Sequence, residues 1–220
     1  MRNRFETQLE NLNIQLTHMG ELCEAAIGNA VKALREGSQE LAKEIITEDQ
    51  EIDQAEKDIE RLCLKLLLEQ QPVARDLRQI SAALKMITDM ERIGDQTSDI
   101  AEIIISGKMN ESRDIKEIGD MAEATSHMVR NSITAYVNKD LELAKQVILA
   151  DDEVDLLFNK VRTKLINFIA MERGNQGEVV IDLLMVTKYL ERIGDHATNI
   201  AEWVEFSITG VHEGDEMMSR

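Results

Sequence analysis

The chain has 220 residues, of which 25 are basic and 42 acidic, giving a net charge of −17 and a pI near 4.7. That acidity excludes a protein that holds nucleic acid or an anionic membrane by charge, while 43% hydrophobic and 30% charged residues suffice for a folded core. A single proline, 11 glycines and 3% aromatics exclude a turn-rich all-β fold, and the composition suits long helices.

The first ten residues, Met1 to Glu10, lack the apolar stretch of a secretory signal. The most apolar run, near Val179 to Val186, is broken by Asp182 and falls short of the roughly 18 residues of a membrane span. A cytoplasmic location without direct membrane insertion is therefore expected. A first helix is predicted from about Phe5 to Arg35, ending at Gly37. Ser38 caps a second helix, whose Leu41, Ile45, Ile52, Ile59, Leu62 and Leu66 share one face. That helix ends before Pro72, which opens a third carrying Ile80, Leu84, Ile87, Ile93 and Ile104 and ending at Gly107. In the second half, Asn138 to Asp140 and Gly174 to Gly177 are the predicted turns, and Thr209 to Arg220 reads as a tail. Cys23 and Cys63 are expected to be reduced core residues, neither a disulfide framework nor a zinc site.

The two halves repeat. Asp89 to Glu102 matches Tyr189 to Glu202 at 8 of 14 positions, including Glu-Arg-Ile-Gly-Asp in both. Upstream the echo continues at an offset of 102: Leu41-Ala42-Lys43 against Leu143-Ala144-Lys145, and Asp49 and Asp53 against Asp151 and Asp155. The predicted fold is all-α, with two pseudo-symmetric up-down-up three-helix bundles at 1–108 and 109–208 and a tail at 209–220.

Helix three carries Glu91, Asp95, Asp99 and Glu102 within an arc of about 80°. The second copy offers Glu191, Asp195, Asn199 and Glu202 at the same spacing. Like charges one turn apart destabilise a helix, so a repeated stripe asks for a reason: descent, a basic partner, or a metal. Counting outward from Pro72 sets Asp53 level with Glu91 and Asp49 level with Asp95. The counterparts are Asp151, Glu153 and Asp155 against Glu191 and Asp195. Converging carboxylates suit a hard cation such as Mg, Ca, Mn or iron, whereas the plain alternative is a solvated acidic face. Gly94 and Gly194, mid-helix, point to close helix approach or to room for an ion or partner. His196 follows Asp195 but points about 100° away from it. The segment Gln71 to Arg78 is a basic turn in an acidic protein; Arg75 and Arg78 are candidate partner contacts beside the plainer reading of local ion pairs.

The duplicated Glu-Arg-Ile-Gly-Asp segments, the Gln-Pro-Val-Ala-Arg-Asp-Leu-Arg turn, and the Asp-x-x-x-Asp starts at Asp49–Asp53 and Asp151–Asp155 together resemble the PhoU family of phosphate-uptake regulators. The resemblance covers residues 1–210. It implies two three-helix bundles and multinuclear metal sites of iron, zinc, manganese or magnesium. The family motif falls on Glu91/Asp95 and Glu191/Asp195, with Asp99 one turn on and Asn199 in its place in the second copy. It also implies a cytoplasmic, often homodimeric adaptor that represses phosphate uptake and starvation signalling. Its implied partners are the ATPase of the phosphate ABC transporter and a phosphate-sensing histidine kinase. No nucleophile–base pair or phosphate loop appears, so no catalytic residue and no enzyme is expected. Two other readings stand beside this one. A carboxylate-bridged di-iron redox enzyme lacks its Glu-x-x-His pairs here. A plain acidic scaffold predicts no stoichiometric metal.

Overall fold

The computed structural model describes residues 2–70, 73–107, 116–171 and 176–211. Gln71 and Pro72, the expected junction from 108 onward, the turn residues 172–175 and the tail from 212 lie outside the described residues. Among those described there are six helices and no strand: α1 Arg2–Glu36, α2 Gln39–Gln70, α3 Ala74–Ser106, α4 Lys116–Asn138, α5 Leu141–Met171 and α6 Gly177–Thr209.

The same turn chemistry closes both α1–α2 and α4–α5. Gly37 takes the left-handed φ of 60°, and Ser38 N–H reaches back to the Ala33 carbonyl at 3.0 Å. The Ser38 hydroxyl then accepts from Leu41 N–H at 3.2 Å, as the capping prediction requires. At the equivalent place Lys139 takes φ 55°, Asp140 N–H bonds to the Ala135 carbonyl at 2.9 Å, and the Asp140 carboxylate accepts from Leu143 N–H at 3.0 Å. A lysine there pays the left-handed cost that Gly37 avoids. Gly107 terminates α3, its N–H on the Ile103 carbonyl at 2.7 Å.

Within each copy the helices pack as an antiparallel trio: α1, α2 and α3, then α4, α5 and α6. The copies also pack on each other, through α3 against α6 and α1 against α4, so one continuous core runs through both. The predicted apolar faces supply it, with Ile45, Ile52, Ile59 and Leu66 from α2 and Ile80, Ile87, Ile93 and Ile104 from α3 all buried. Cys23 and Cys63 are both free and buried, and burial pushes the Cys63 thiol up to about 12. The fully buried Thr97, Thr125, Ser132 and Thr187 hydroxyls are satisfied inside their own helices; Thr97 donates to the Gly94 carbonyl at 2.7 Å and Thr187 to that of Leu183 at 2.6 Å. A buried polar tie also crosses the copies: the Tyr136 hydroxyl of α4 donates to the Gln79 carbonyl of α3 at 2.8 Å.

Candidate functional site

In the first copy, α2 lies directly over the middle of α3. A β-carbon added at Gly94 would meet the Asp49 carboxylate oxygen at 2.5 Å and Ile52 at 3.1 Å. Glycine is thus what lets the α2 carboxylate settle against the α3 backbone, which is the close-approach reading of this residue. The second copy repeats it more loosely, with the same atom at Gly194 meeting Asp151 and Val154 at 3.3 Å each.

Around each glycine the carboxylates share one field. Asp49 is held above the usual carboxylate range by burial, with Asp95, Asp53 and Asp99 pushing the same way. Glu91 is raised by burial, then by Asp95, Glu56 and Asp53, while Arg92 opposes. Asp49, Asp53, Glu91 and Asp95 thus lie within one another's electrostatic reach across α2 and α3. Glu56 joins them, raised by burial and by Glu60 and Asp53. It is a residue the sequence reading missed, although it lies three positions after Asp53 on the same helical face.

In the second copy Asp151 is pushed up to about 6, by burial first and then by Asp195, Asp155 and Glu191. Asp195 is raised by burial and Glu191, with Lys188 and His196 opposing. Glu153 is exposed. Besides Asn199 in place of Asp99, this site differs from the first at two positions. The position matching Glu56 is Phe158, and the position matching Thr88 is Lys188. The Lys188 ammonium pairs with Glu191 and lies 5.7 Å from the centre of the Phe158 ring. A tethered cation thus already sits in the second carboxylate field, whereas the first has an extra acid there.

Asp99 and Asn199 lie at the α3–α6 crossing. Asp99 is raised by burial, Glu102 and Asp95, and pulled back by Arg192 and the Tyr189 hydroxyl of the other copy. Asn199 donates to Asp89 at 3.2 Å, and His196 Nδ1 lies 2.9 Å from the same carboxylate oxygen. Asp99 therefore borders the first site, while Asn199 and His196 are engaged between the copies. Arg75 and Arg78 stand about 20 Å or more along α3 from Glu91, at the far end of the molecule.

The donor set at each site is all oxygen, which suits a hard cation, and the glycine cradle lets one carboxylate approach the opposite helix. Among the described residues, no three His, Cys, Asp or Glu side chains are drawn together tightly enough to form a ready-made metal cage. In chemistry the residues fit a cation; Asp49, Asp53, Glu91 and Asp95 would hold it in the first copy, and Asp151, Asp155, Glu191 and Asp195 in the second. Its contribution would be to offset like-charge repulsion and tie α2 to α3 and α5 to α6.

Fold and site together define a class: a duplicated three-helix protein with a carboxylate site at the same place in each copy. The chain belongs to the PhoU family, whose domain model matches residues 16–104 and again 118–204. It is 38% identical over 211 residues to the phosphate-specific transport system accessory protein PhoU homolog of Clostridium acetobutylicum, covering 95% of this chain and 96% of that one. The crystal structure of PhoU from Pseudomonas aeruginosa superposes with a TM-score of 0.86 at 33% identity, over 94% of this chain and 100% of that chain. The phosphate transport system regulatory protein PhoU from Streptococcus pneumoniae gives the same TM-score at 25% identity, over 94% of this chain and 98% of that chain. These relatives are named accessory or regulatory proteins, not enzymes, in accord with the expected lack of catalysis. Among the described residues, no helix is long and apolar enough to cross a membrane.

Proposed function

We propose that this chain is an accessory protein of phosphate transport that restrains phosphate uptake and starvation signalling when phosphate is plentiful. It works without catalysis, as a cytoplasmic and homodimeric adaptor between the transporter's ATPase and a sensor histidine kinase. Its two carboxylate sites carry metal ions, and those ions set the spacing of α2 on α3 and of α5 on α6. The observation that carries this reading is the recurrence of one carboxylate–glycine contact in both PhoU domains, Asp49 on Gly94 and Asp151 on Gly194. The names of the relatives support the link to phosphate transport. The acidic donors support a hard metal such as manganese, magnesium or iron over zinc held by His or Cys.

The test is complementation of a bacterium deleted for its own homologue, with phosphate uptake and a starvation reporter as readouts. The wild-type chain restores repression, and the E91Q/D95N/E191Q/D195N variant, expressed to the same level, does not. Full repression by that variant removes the sites from the function. Failure of the wild-type chain to repress, with the host's own protein repressing in parallel, refutes the regulatory reading.

A further inference from the structure

A cavity of about 110 Å³ opens at the far end of the molecule, where the start of α3 meets the ends of α4 and α6. Arg75, Gln79, Tyr136, Lys139, Ser207 and Ile208 line it. Arg78 stands beside it, its guanidinium 3.0 Å from where a β-carbon on Gly210 would lie, and its Nε is buried with no hydrogen-bond partner among the described residues. Three cations are thus gathered in a chain of net charge −17. The carboxylate sites lie some 20 Å or more away, more than two Debye lengths at physiological salt, so their field there is largely screened.

The plain use for cations at helix ends is to cap carbonyls. Here the helix ends are closed by their own backbone. Lys139 and Asp140 N–H bond to the Tyr136 and Ala135 carbonyls at 3.2 and 2.9 Å, and Gly210 N–H bonds to that of Phe206 at 2.8 Å. Among the described residues no carboxylate forms an ion pair with Arg75, Arg78 or Lys139. The wall adds a neutral polar group: Gln79 is only 7% exposed, and its carbonyl takes the Tyr136 hydroxyl, but its side-chain amide has no partner among the described residues. The α3 helix also begins here, with Val73 at the N-cap and no side chain capping its first-turn N–H groups.

We propose that this cavity binds a small inorganic oxyanion of the size and charge of phosphate or sulfate, held by Arg75 and Lys139 with the Gln79 amide as neutral partner. The space takes several waters and so an anion of five heavy atoms, but not a nucleotide or a peptide. This site is independent of the metal reading, since no carboxylate of either acidic site takes part.

The test is equilibrium dialysis of the full chain against radiolabelled inorganic phosphate at fixed ionic strength, with sulfate and chloride as competitors. The wild-type chain is expected to hold about one phosphate, undisturbed by matched chloride. Displacement by sulfate identifies a general oxyanion pocket, and resistance to sulfate a phosphate-selective one; both agree with the proposal. The R75Q/K139Q variant should lose at least tenfold in affinity, and R61Q, altering an exposed arginine paired with Asp58, should lose none. If the double variant fails to fold by circular dichroism, K139Q alone should lose at least threefold. No binding to the wild-type chain at millimolar phosphate, equal displacement by chloride, or undiminished binding in the folded variants overturns the proposal.

Discussion

Replacing Gly94 and Gly194 by alanine in parallel isolates the contact on which the site is built. Both lie inside helices, so alanine gains about 1 kcal/mol in backbone terms at either position. The space differs. At Gly94 the new carbon would meet Asp49 Oδ1 at 2.5 Å and the buried Ile52 at 3.1 and 3.3 Å. The Asp49 carboxylate must swing away and Ile52 must shift, an overpacking cost of about 1–3 kcal/mol. At Gly194 the nearest neighbours, Asp151 Oδ1 and Val154, lie at 3.3 Å and need yield only a few tenths of an ångström, so more of the helical gain is kept than at Gly94. G94A should therefore be less stable than G194A by about 1–2 kcal/mol, or roughly 2–8 °C in Tm for a chain of this size. Urea denaturation in chelator, followed by circular dichroism, measures the difference without any metal contribution. Equal stabilisation of both variants by about 1 kcal/mol would refute the close approach of α2 to α3.

Other outcomes follow from the same contacts. Asp151 has its folded pKa raised to about 6, so its charge is disfavoured in the folded state and its stabilising share falls as pH rises from about 4 through 6. Asp49, Glu56, Glu91, Asp99 and Asp195 are shifted the same way. Chelated protein should accordingly be more stable at pH 5.5 than at pH 7.5, by about 0.5 kcal/mol from Asp151 after solvent screening; D151N should flatten that slope, and a slope of opposite sign would contradict the account. Removing the Tyr136 hydroxyl in Y136F breaks the buried tie to Gln79 and should cost about 1 kcal/mol in urea denaturation, with no change meaning that the tie contributes nothing. Lys188 holds a positive charge in the second site only, so K188Q should tighten manganese binding there by at least about fivefold, since even unit charges 4 Å apart in water repel by about 1 kcal/mol and manganese carries two. A titration in which K188Q and wild type coincide would remove Lys188 from that site.

Much of this was legible in the sequence because helices keep a fixed rise. Counting from Pro72 paired Asp49 and Asp53 with Glu91 and Asp95, and the electrostatic coupling between α2 and α3 follows that register. The Gly37–Ser38 turn was readable from residue type, whereas its partner at Lys139–Asp140 was placed only by the repeat, since lysine carries no left-handed signal. What was not legible depends on how the two copies meet. Asn199 stands in the stripe by periodicity, yet it faces Asp89 across the α3–α6 crossing, as does His196. No spacing within one helix encodes the partner face of another. Glu56 and Lys188 were within reach, three residues from Asp53 and Glu191, but a comparison that sought identities between the copies passed over the positions where they differ.

The most direct test of the central claim is the metal content of protein purified without added metal or chelator, beside the E91Q/D95N/E191Q/D195N variant. Duplicated metal sites predict two or more ions per folded wild-type chain and loss of them in the variant. Equal metal in both proteins, or far less than one ion per chain in wild type even after dialysis against millimolar manganese, would contradict the claim and leave the carboxylates as a solvated face.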